Sequence, residues 1–173
     1  MPMLIRWRNG AGVEAEDIFT RIADDEAISA PHVLVSLARL RAEGGAPWRT
    51  RSVGALVTAG ELVESLAPFL GRLALVALDF PKFRDGRAYS AAAILRSRMA
   101  FAGEVRAVGG VLREQAGFMV RVGFDAFVPA DGSTAAEWTR AARRYRHHYQ
   151  RATDGRPAAF EERRGISSPR LAA

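Results

Sequence analysis

A pattern of apolar strand, helix, glycine and apolar strand recurs through the middle of this sequence and constrains its fold more than any other feature. Val53–Val57 and Leu73–Leu78 are short apolar runs of strand length, typical of a sheet that is covered on both faces. Glu104–Ala107 and Phe124–Val128 repeat the pattern. Strands that alternate with helices predict parallel β–α units joined by right-handed crossovers.

Four helices are predicted within and after this repeat from the spacing of their apolar residues. Thr58 and Glu61 have the spacing of a capping box that begins the first helix, and Pro68 ends or distorts it. Thr134 and Glu137 cap the fourth helix in the same way. The apolar stripe of the first helix is Leu62, Val63, Leu66 and Phe69, followed by Gly71 as a left-handed stop, and that of the second is Ala91, Ile94, Leu95 and Met99, followed by Gly103 as the stop. The buried side of the third helix is formed by Val111, Leu112, Phe118, Met119 and Val122, and this helix stops at Gly123. The stripe of the fourth helix is Trp138, Ala141, Ala142, Tyr145 and Tyr149.

The flanking segments have weaker patterns. With a length of 173 residues, the repeat predicts one α/β domain over residues 1–151, with a mainly parallel sheet of open Rossmann-like or partial-barrel form. We expect an irregular N-terminal part, a basic last helix and an irregular tail over 152–173. The N-terminal predictions are a strand at Met3–Trp7 turned by Asn9-Gly10, a weak helix at Glu16–Ala23, a strand at Val33–Leu37 and a loop at Arg39–Arg51.

Composition excludes several classes of protein. Hydrophobic residues form 49% of the chain and charged residues 25%, as in an ordinary globular domain and unlike a disordered chain. No apolar run approaches the roughly 18 residues of a membrane helix, and the first residues lack a secretory signal, so we expect a cytoplasmic protein. The absence of cysteine excludes a thiolate nucleophile and a redox dithiol, and the three histidines do not favour a metal site.

The net charge of +6 comes from the C-terminal end of the chain. From residue 140 onward there are nine arginines against three acidic residues, so the preceding part is neutral. Arg140, Arg143, Arg144 and His147 fall at helical spacing on the predicted last helix. This basic stripe predicts either a solvated face or a docking surface for an acidic partner protein; nucleic acid and anionic lipid are the weaker alternatives.

A ligand site in a parallel sheet is expected beyond the carboxyl ends of its strands. The strand that ends at Leu78 is followed by a polar and aromatic loop, 79–90, that leads into a helix N-terminus. Free helix amides and guanidinium groups together suit sulfate, phosphate or a carboxylate, whereas a structural loop is the competing interpretation. The candidate ligand-binding residues are Asp79, Lys82, Arg84, Asp85, Arg87, Tyr89, Ser90, Arg106 and Gly109.

The sequence predicts specific roles for three of these candidates. Arg106 lies inside a predicted strand, where an arginine is costly unless it reaches a partner, so we expect a salt bridge to Asp79 or Asp85. Tyr89 is either a ligand-binding hydroxyl or a packed aromatic. Gly109 either admits a phosphate closely or only forms a turn.

Within the segment 73–127, residues 75–90, 94–96, 103–109 and 123–127 form a set that resembles the bacterial family called domain of unknown function 934. The region around Asp24-Asp25-Glu26 is similar too. The resemblance implies an oxidoreductase or accessory protein whose gene lies beside those of assimilatory sulfite reduction, and it implies no particular cofactor. Three positions depart from the family pattern: Ala88 replaces a usual glycine, Ala93 an arginine and Gly110 an aspartate.

These observations predict two alternative functions. The first is an accessory protein or oxidoreductase of assimilatory sulfite or sulfate reduction, which binds a small oxyanion or a phosphate-bearing ligand at the 79–90 loop. Asp85 would then hold the loop or an arginine in place. The second is a non-catalytic interaction module that docks on a reductase through the basic last helix.

Overall fold

The computed structural model describes residues 3–44, 48 and 50–165. Its strands belong to one curled sheet, a half-barrel, which confirms the partial-barrel form of the predicted fold. The predicted tail over 152–173 is described only as far as Gly165. Residues 45–47 and 49 of the predicted loop at 39–51 lie outside the described residues. The strands are β1 (Leu4–Arg8), β2 (Ala11–Ala15), β3 (Thr20–Arg21), β4 (His32–Ser36), β5 (Ser52–Val57), β6 (Leu73–Phe80), β7 (Glu104–Gly109) and β8 (Ala126–Phe127).

The order of the strands in the sheet is β2-β1-β8-β7-β6-β5-β4-β3. Strands β3 to β8 are parallel and follow one another in chain order, whereas β1 is antiparallel to both β2 and β8. Because the order never reverses among the parallel strands, there is no switch point of the Rossmann kind there. The helices are α1 (Leu37–Glu43), α2 (Arg87–Ser97), α3 (Ala116–Val122), α4 (Ala135–Ala142) and α5 (Ala159–Glu162).

The two faces of the sheet have different cores. The larger apolar cluster includes residues from α1 to α4, and Trp138, Phe80 and Phe127 are among its fully buried members. The other face has a small cluster of four residues. Alternation along β6 divides its side chains between the two clusters, as expected for a strand covered on both sides. The smaller cluster consists of Leu34, Leu56, Leu75 and Ala77.

The N-terminal part is more regular than the sequence predicts. The strand at Met3–Trp7 and the turn at Asn9-Gly10 are confirmed, since β1 and β2 form a hairpin there. The helix predicted at Glu16–Ala23 is wrong: β3 lies within it and pairs with β4. The loop predicted from Arg39 instead contains most of α1, because the Ser36 hydroxyl caps the helix by accepting from the Arg39 amide at 2.9 Å.

Two predicted helices of the repeat differ in extent. After β5 there is no α-helix but two short 3₁₀ turns, Val63–Leu66 and Leu70–Arg72, because Pro68 interrupts the segment. The predicted left-handed stop at Gly71 is wrong, whereas Gly123 adopts a φ of 102° at the end of α3 as predicted. Helix α2 ends at Ser97, ahead of the predicted stop at Gly103.

The basic last helix is shorter than predicted. Thr134 and Glu137 form the predicted capping box of α4, but the helix ends at Ala142. Tyr145 and Tyr149 lie beyond it and are 61% and 85% exposed, so they bury too little area to extend the helix. The tail is not wholly irregular, since it contains α5.

Candidate functional site

The carboxyl ends of β5 and β6 lie side by side next to the N-terminus of α2. Val57 pairs with Leu78 across these strands. A small cavity of about 20 Å³ lies beyond them. We define the residues that line it as the Arg87 socket: Val57, Thr58, Ala59, Gly60, Glu61, Leu78, Asp79, Arg87, Ala88 and Ala91.

Asp85 fixes the orientation of the Arg87 guanidinium. Arg87 Nε donates to Asp85 Oδ1 at 2.9 Å, and Arg87 Nη2 donates to Oδ2 at 2.5 Å. The Arg87 amide also donates to Oδ1 at 3.2 Å, so the same carboxylate binds the first turn of α2. This bidentate pair uses Nε–H and one hydrogen of Nη2, so both hydrogens of Nη1 and the second hydrogen of Nη2 can still donate to a ligand.

Arg87 Nη1 lies against Gly60 at the wall of the socket. A Cβ added at Gly60 would lie 3.3 Å from this nitrogen, and Gly60 has a φ of 108°. Glycine therefore serves both the turn after β5 and the close approach of the arginine. The side chain of Arg87 is 61% exposed, so a ligand can reach it from solvent.

Two carboxylates also belong to the socket. Glu61 is held in place, because its Oε2 accepts from the Thr58 amide at 2.6 Å and from the Thr58 hydroxyl at 2.8 Å. Asp79 has no hydrogen bond or salt bridge with any side chain in the described part of the chain. Its Oδ1 lies close to Gly109, where an added Cβ would be 2.5 Å from the oxygen. Asp79 is therefore free to accept a hydrogen bond.

The Asp85–Arg87 pair predicts a pH dependence. Its hydrogen bonds lower the pKa of Asp85 from 3.8 to about 2. Since the folded pKa is depressed, the stabilisation is fully present above about pH 4 and is lost as the pH falls through about 2. Carboxyl NMR titration should give Asp85 an apparent pKa near 2 in the wild type and near 3.8 in Arg87→Ala. A wild-type value near 3.8 would contradict the pairing.

The other candidates of the 79–90 loop do not line the socket. Lys82, Arg84 and Ser90 are exposed and form no salt bridge within the described residues. Tyr89 packs against Phe80 at a ring distance of 5.2 Å. Burial raises the pKa of Tyr89, and its hydroxyl contacts the Gln115 side chain, which favours the packed-aromatic interpretation.

Gly109 and Gly110 form the turn that ends β7. Gly109 has a φ of 87°, and the Gly110 amide donates to the Phe80 carbonyl at 2.6 Å. Ala88 lines the socket and is 7% exposed, so its methyl group occupies space at the wall of the cavity.

The expected pairing of Arg106 with Asp79 or Asp85 is wrong. Arg106 Nη1 donates to both carboxylate oxygens of Asp17 at 2.8 Å, and its Nε donates to Glu104 Oε1 at 2.8 Å. The guanidinium also lies 5.7 Å from the Phe19 ring centroid. Arg106 is thus a buried structural group, 1% exposed, and does not reach the Arg87 socket.

The predicted basic stripe is not one helical surface. Arg140 belongs to α4, but Arg143 follows the helix and donates to the Gly10 carbonyl at 2.9 Å. The Arg144 guanidinium lies over the Tyr145 ring, and His147 pairs with Glu162. The helical spacing in the sequence is therefore not matched by a helix beyond Ala142.

Sequence reasoning missed most of the socket outside the 79–90 loop. Thr58, Gly60 and Glu61 had a usable signal, because they follow a strand that is parallel to its neighbour and so end at the same edge. The sequence contains no signal for the pairing of Asp17 with Arg106, because Asp17 lies 89 residues from Arg106 in a segment predicted to be helical.

Comparison with known families agrees with the resemblance. A family model described as "Bacterial protein of unknown function (DUF934)" matches residues 54–160, more than half of the chain. The chain belongs to the DUF934 family. The matched region of this DUF934 protein contains all but the first two residues of β5, the strands β6 to β8 and the whole Arg87 socket, but it excludes β1 to β4. Among curated proteins and solved structures, none matches the chain significantly.

Among the helices of the described residues, none has both the length and the apolar character needed to cross a membrane. Within the same residues, no three His, Asp or Glu side chains are grouped so as to hold a metal ion.

Proposed function

We propose that this DUF934 protein is an accessory protein of assimilatory sulfite or sulfate reduction that binds a small oxyanion at the Arg87 socket. The observation that supports it is the geometry of Arg87. Asp85 binds Nε and Nη2, so Nη1 is held beside Gly60 at the cavity wall as a fixed, charged donor. A donor that is already oriented loses little entropy when an anion binds.

The size of the cavity determines how an oxyanion would bind. A volume of about 20 Å³ holds roughly one water-sized oxygen. One oxygen of the anion therefore enters the socket, and the others remain in solvent near the exposed guanidinium of Arg87. The link to sulfite reduction comes from the family resemblance, whereas the socket supports only binding of the anion.

Asp79 favours a protonated oxyanion over a fully ionised one. An unpaired carboxylate repels an anion unless the ligand donates a hydrogen bond to it. Hydrogen phosphate and hydrogen sulfite have an O–H group that can donate to Asp79 while another oxygen accepts from Arg87. Sulfate has no such proton near neutral pH. The socket should therefore discriminate between these anions.

An oxidoreductase role would require an electron carrier other than a protein thiol, since the chain has no cysteine. The docking function through a basic last helix has weaker support, because α4 ends at Ala142 and two of the four basic side chains already bind within the chain: Arg143 to Gly10 and His147 to Glu162.

Calorimetric titration with phosphate, sulfite and sulfate tests the proposal. Phosphate and sulfite should bind, and sulfate should bind more weakly. Arg87→Ala should weaken phosphate binding by roughly tenfold or more, because a hydrogen bond to a charged group is lost. Arg98→Ala is the matched control, since Arg98 is an exposed arginine just after the same helix, and it should change nothing.

Asp79→Asn gives a second, opposite result. The amide donates where the carboxylate could only accept, so sulfate affinity should rise relative to phosphate. Absence of binding by every anion, or equal affinities of the wild type and Arg87→Ala, would contradict the proposal.

A further inference from the structure

A second cavity lies between α3 and α4, away from the Arg87 socket. It has a volume of about 830 Å³, within the range of small-molecule sites, which is roughly 300–1,000 Å³. Gly117 and Ala142 lie where the two helices meet, and a Cβ at Gly117 would be 3.5 Å from the Ala142 carbonyl oxygen. Close packing of small residues at this point leaves the larger side chains to form the walls. We call this cavity the α3–α4 cleft.

The charges of the cleft are only partly neutralised. Arg113 pairs with Glu137, and Arg121 pairs with Asp154 at 3.2 Å. Arg140 and Arg144 also line the cleft, but neither forms a salt bridge with an acidic side chain in the described part of the chain. Arg140 interacts electrostatically with Glu137 without forming a salt bridge to it, so the guanidinium groups of Arg140 and Arg144 can still donate to an anionic group.

Exposed aromatic rings lie beside these arginines. Phe118 and Tyr145 both line the cleft and are 68% and 61% exposed. Phe118 is in α3, where the sequence pattern predicted a buried side chain. The Arg144 guanidinium lies 5.7 Å from the centroid of the Tyr145 ring. Flat aromatic and guanidinium surfaces of this kind stack with nucleobases.

We propose that the α3–α4 cleft binds a mononucleotide. The base stacks on Tyr145, with Phe118 as a second exposed ring of the same cleft, and the phosphate accepts hydrogen bonds from Arg140 and Arg144. The volume of the cleft, its two arginines without a salt bridge and its exposed rings together favour a mononucleotide over an inorganic anion or an uncharged aromatic molecule. An inorganic anion would leave the rings uncovered, and an uncharged aromatic molecule would leave the arginines unpaired. The inference does not depend on the function of the Arg87 socket.

Calorimetric titration of the full chain with AMP, adenosine and inorganic phosphate tests this inference. AMP should bind more tightly than adenosine. Arg144→Ala and Tyr145→Ala should each weaken AMP binding by roughly tenfold. Both side chains are exposed, so neither change should unfold the protein, and circular dichroism would verify this.

Two control variants separate the cleft from other sites. Arg146→Ala removes an exposed arginine of the same segment that does not line the cleft, and AMP affinity should not change. Arg87→Ala should likewise leave AMP affinity unchanged while it weakens phosphate binding at the socket. Failure of AMP to bind, or equal losses in Arg144→Ala and Arg146→Ala, would overturn the inference. So would a loss of AMP binding in Arg87→Ala alone.

Discussion

Replacing Arg106 by methionine is expected to lower the free energy of unfolding by about 3 kcal/mol, because it leaves two partly buried carboxylates without their shared cation. The side chains of Glu104 and Asp17 are 13% and 27% exposed, so water compensates only part of the loss. Arg6 still pairs with Glu104 at 2.9 Å, but Asp17 has no other salt bridge within the described residues. Urea denaturation monitored by tryptophan fluorescence measures the change.

Two further variants provide controls for this prediction. Adding Asp17→Asn to Arg106→Met removes the unpaired charge and should recover part of the lost stability. Arg98→Ala, which removes an exposed arginine, should change the free energy of unfolding by less than about 0.5 kcal/mol. A loss below about 1 kcal/mol for Arg106→Met would mean that the buried network is not a structural element.

Replacing Gly109 by alanine is expected to cost about 3 kcal/mol through backbone strain and a steric clash. Gly109 has a φ of 87°, and a Cβ there would lie 2.5 Å from Asp79 Oδ1 and 2.6 Å from the Phe80 carbonyl oxygen. Neither the strand end nor the carboxylate can remain in place. The same variant should therefore also weaken phosphate binding at the Arg87 socket, because Asp79 must move.

Two other glycines separate strain from steric clash. Gly132 has a φ of 67° but open space around it, so the loss in free energy of unfolding of Gly132→Ala should come from backbone strain alone. Gly71 has neither a left-handed φ nor a close neighbour, and Gly71→Ala should be neutral or slightly stabilising. If Gly109→Ala lost no more stability than Gly132→Ala, the close approach of Asp79 to Gly109 would be wrong.

The parallel sheet was predictable from the sequence because its central strands are covered on both faces. Such strands need continuous apolar runs, and the runs of β5 and β6 are visible without any tertiary information. The short strand β3 was not predictable, because its two residues are exposed and depend on pairing with β4.

Side-chain partners and helix ends were less predictable for physical reasons. The apolar and basic spacing of α4 continues past Ala142, but no apolar surface covers Tyr145 and Tyr149, so tertiary packing does not extend the helix. The local Asp85–Arg87 contact could be anticipated from two residues of one loop. The contact of Arg106 with Asp17 depends on how distant segments meet across the sheet.

The site of oxyanion binding can be observed directly by NMR. In a phosphate titration followed by amide and arginine Nε resonances, we predict that Gly60, Arg87 and Ala88 show the largest shifts, and that these shifts disappear in Arg87→Ala. If these three residues stayed unperturbed at saturating phosphate, or if Arg140 and Arg144 shifted most, the Arg87 socket would not be the anion site of this protein.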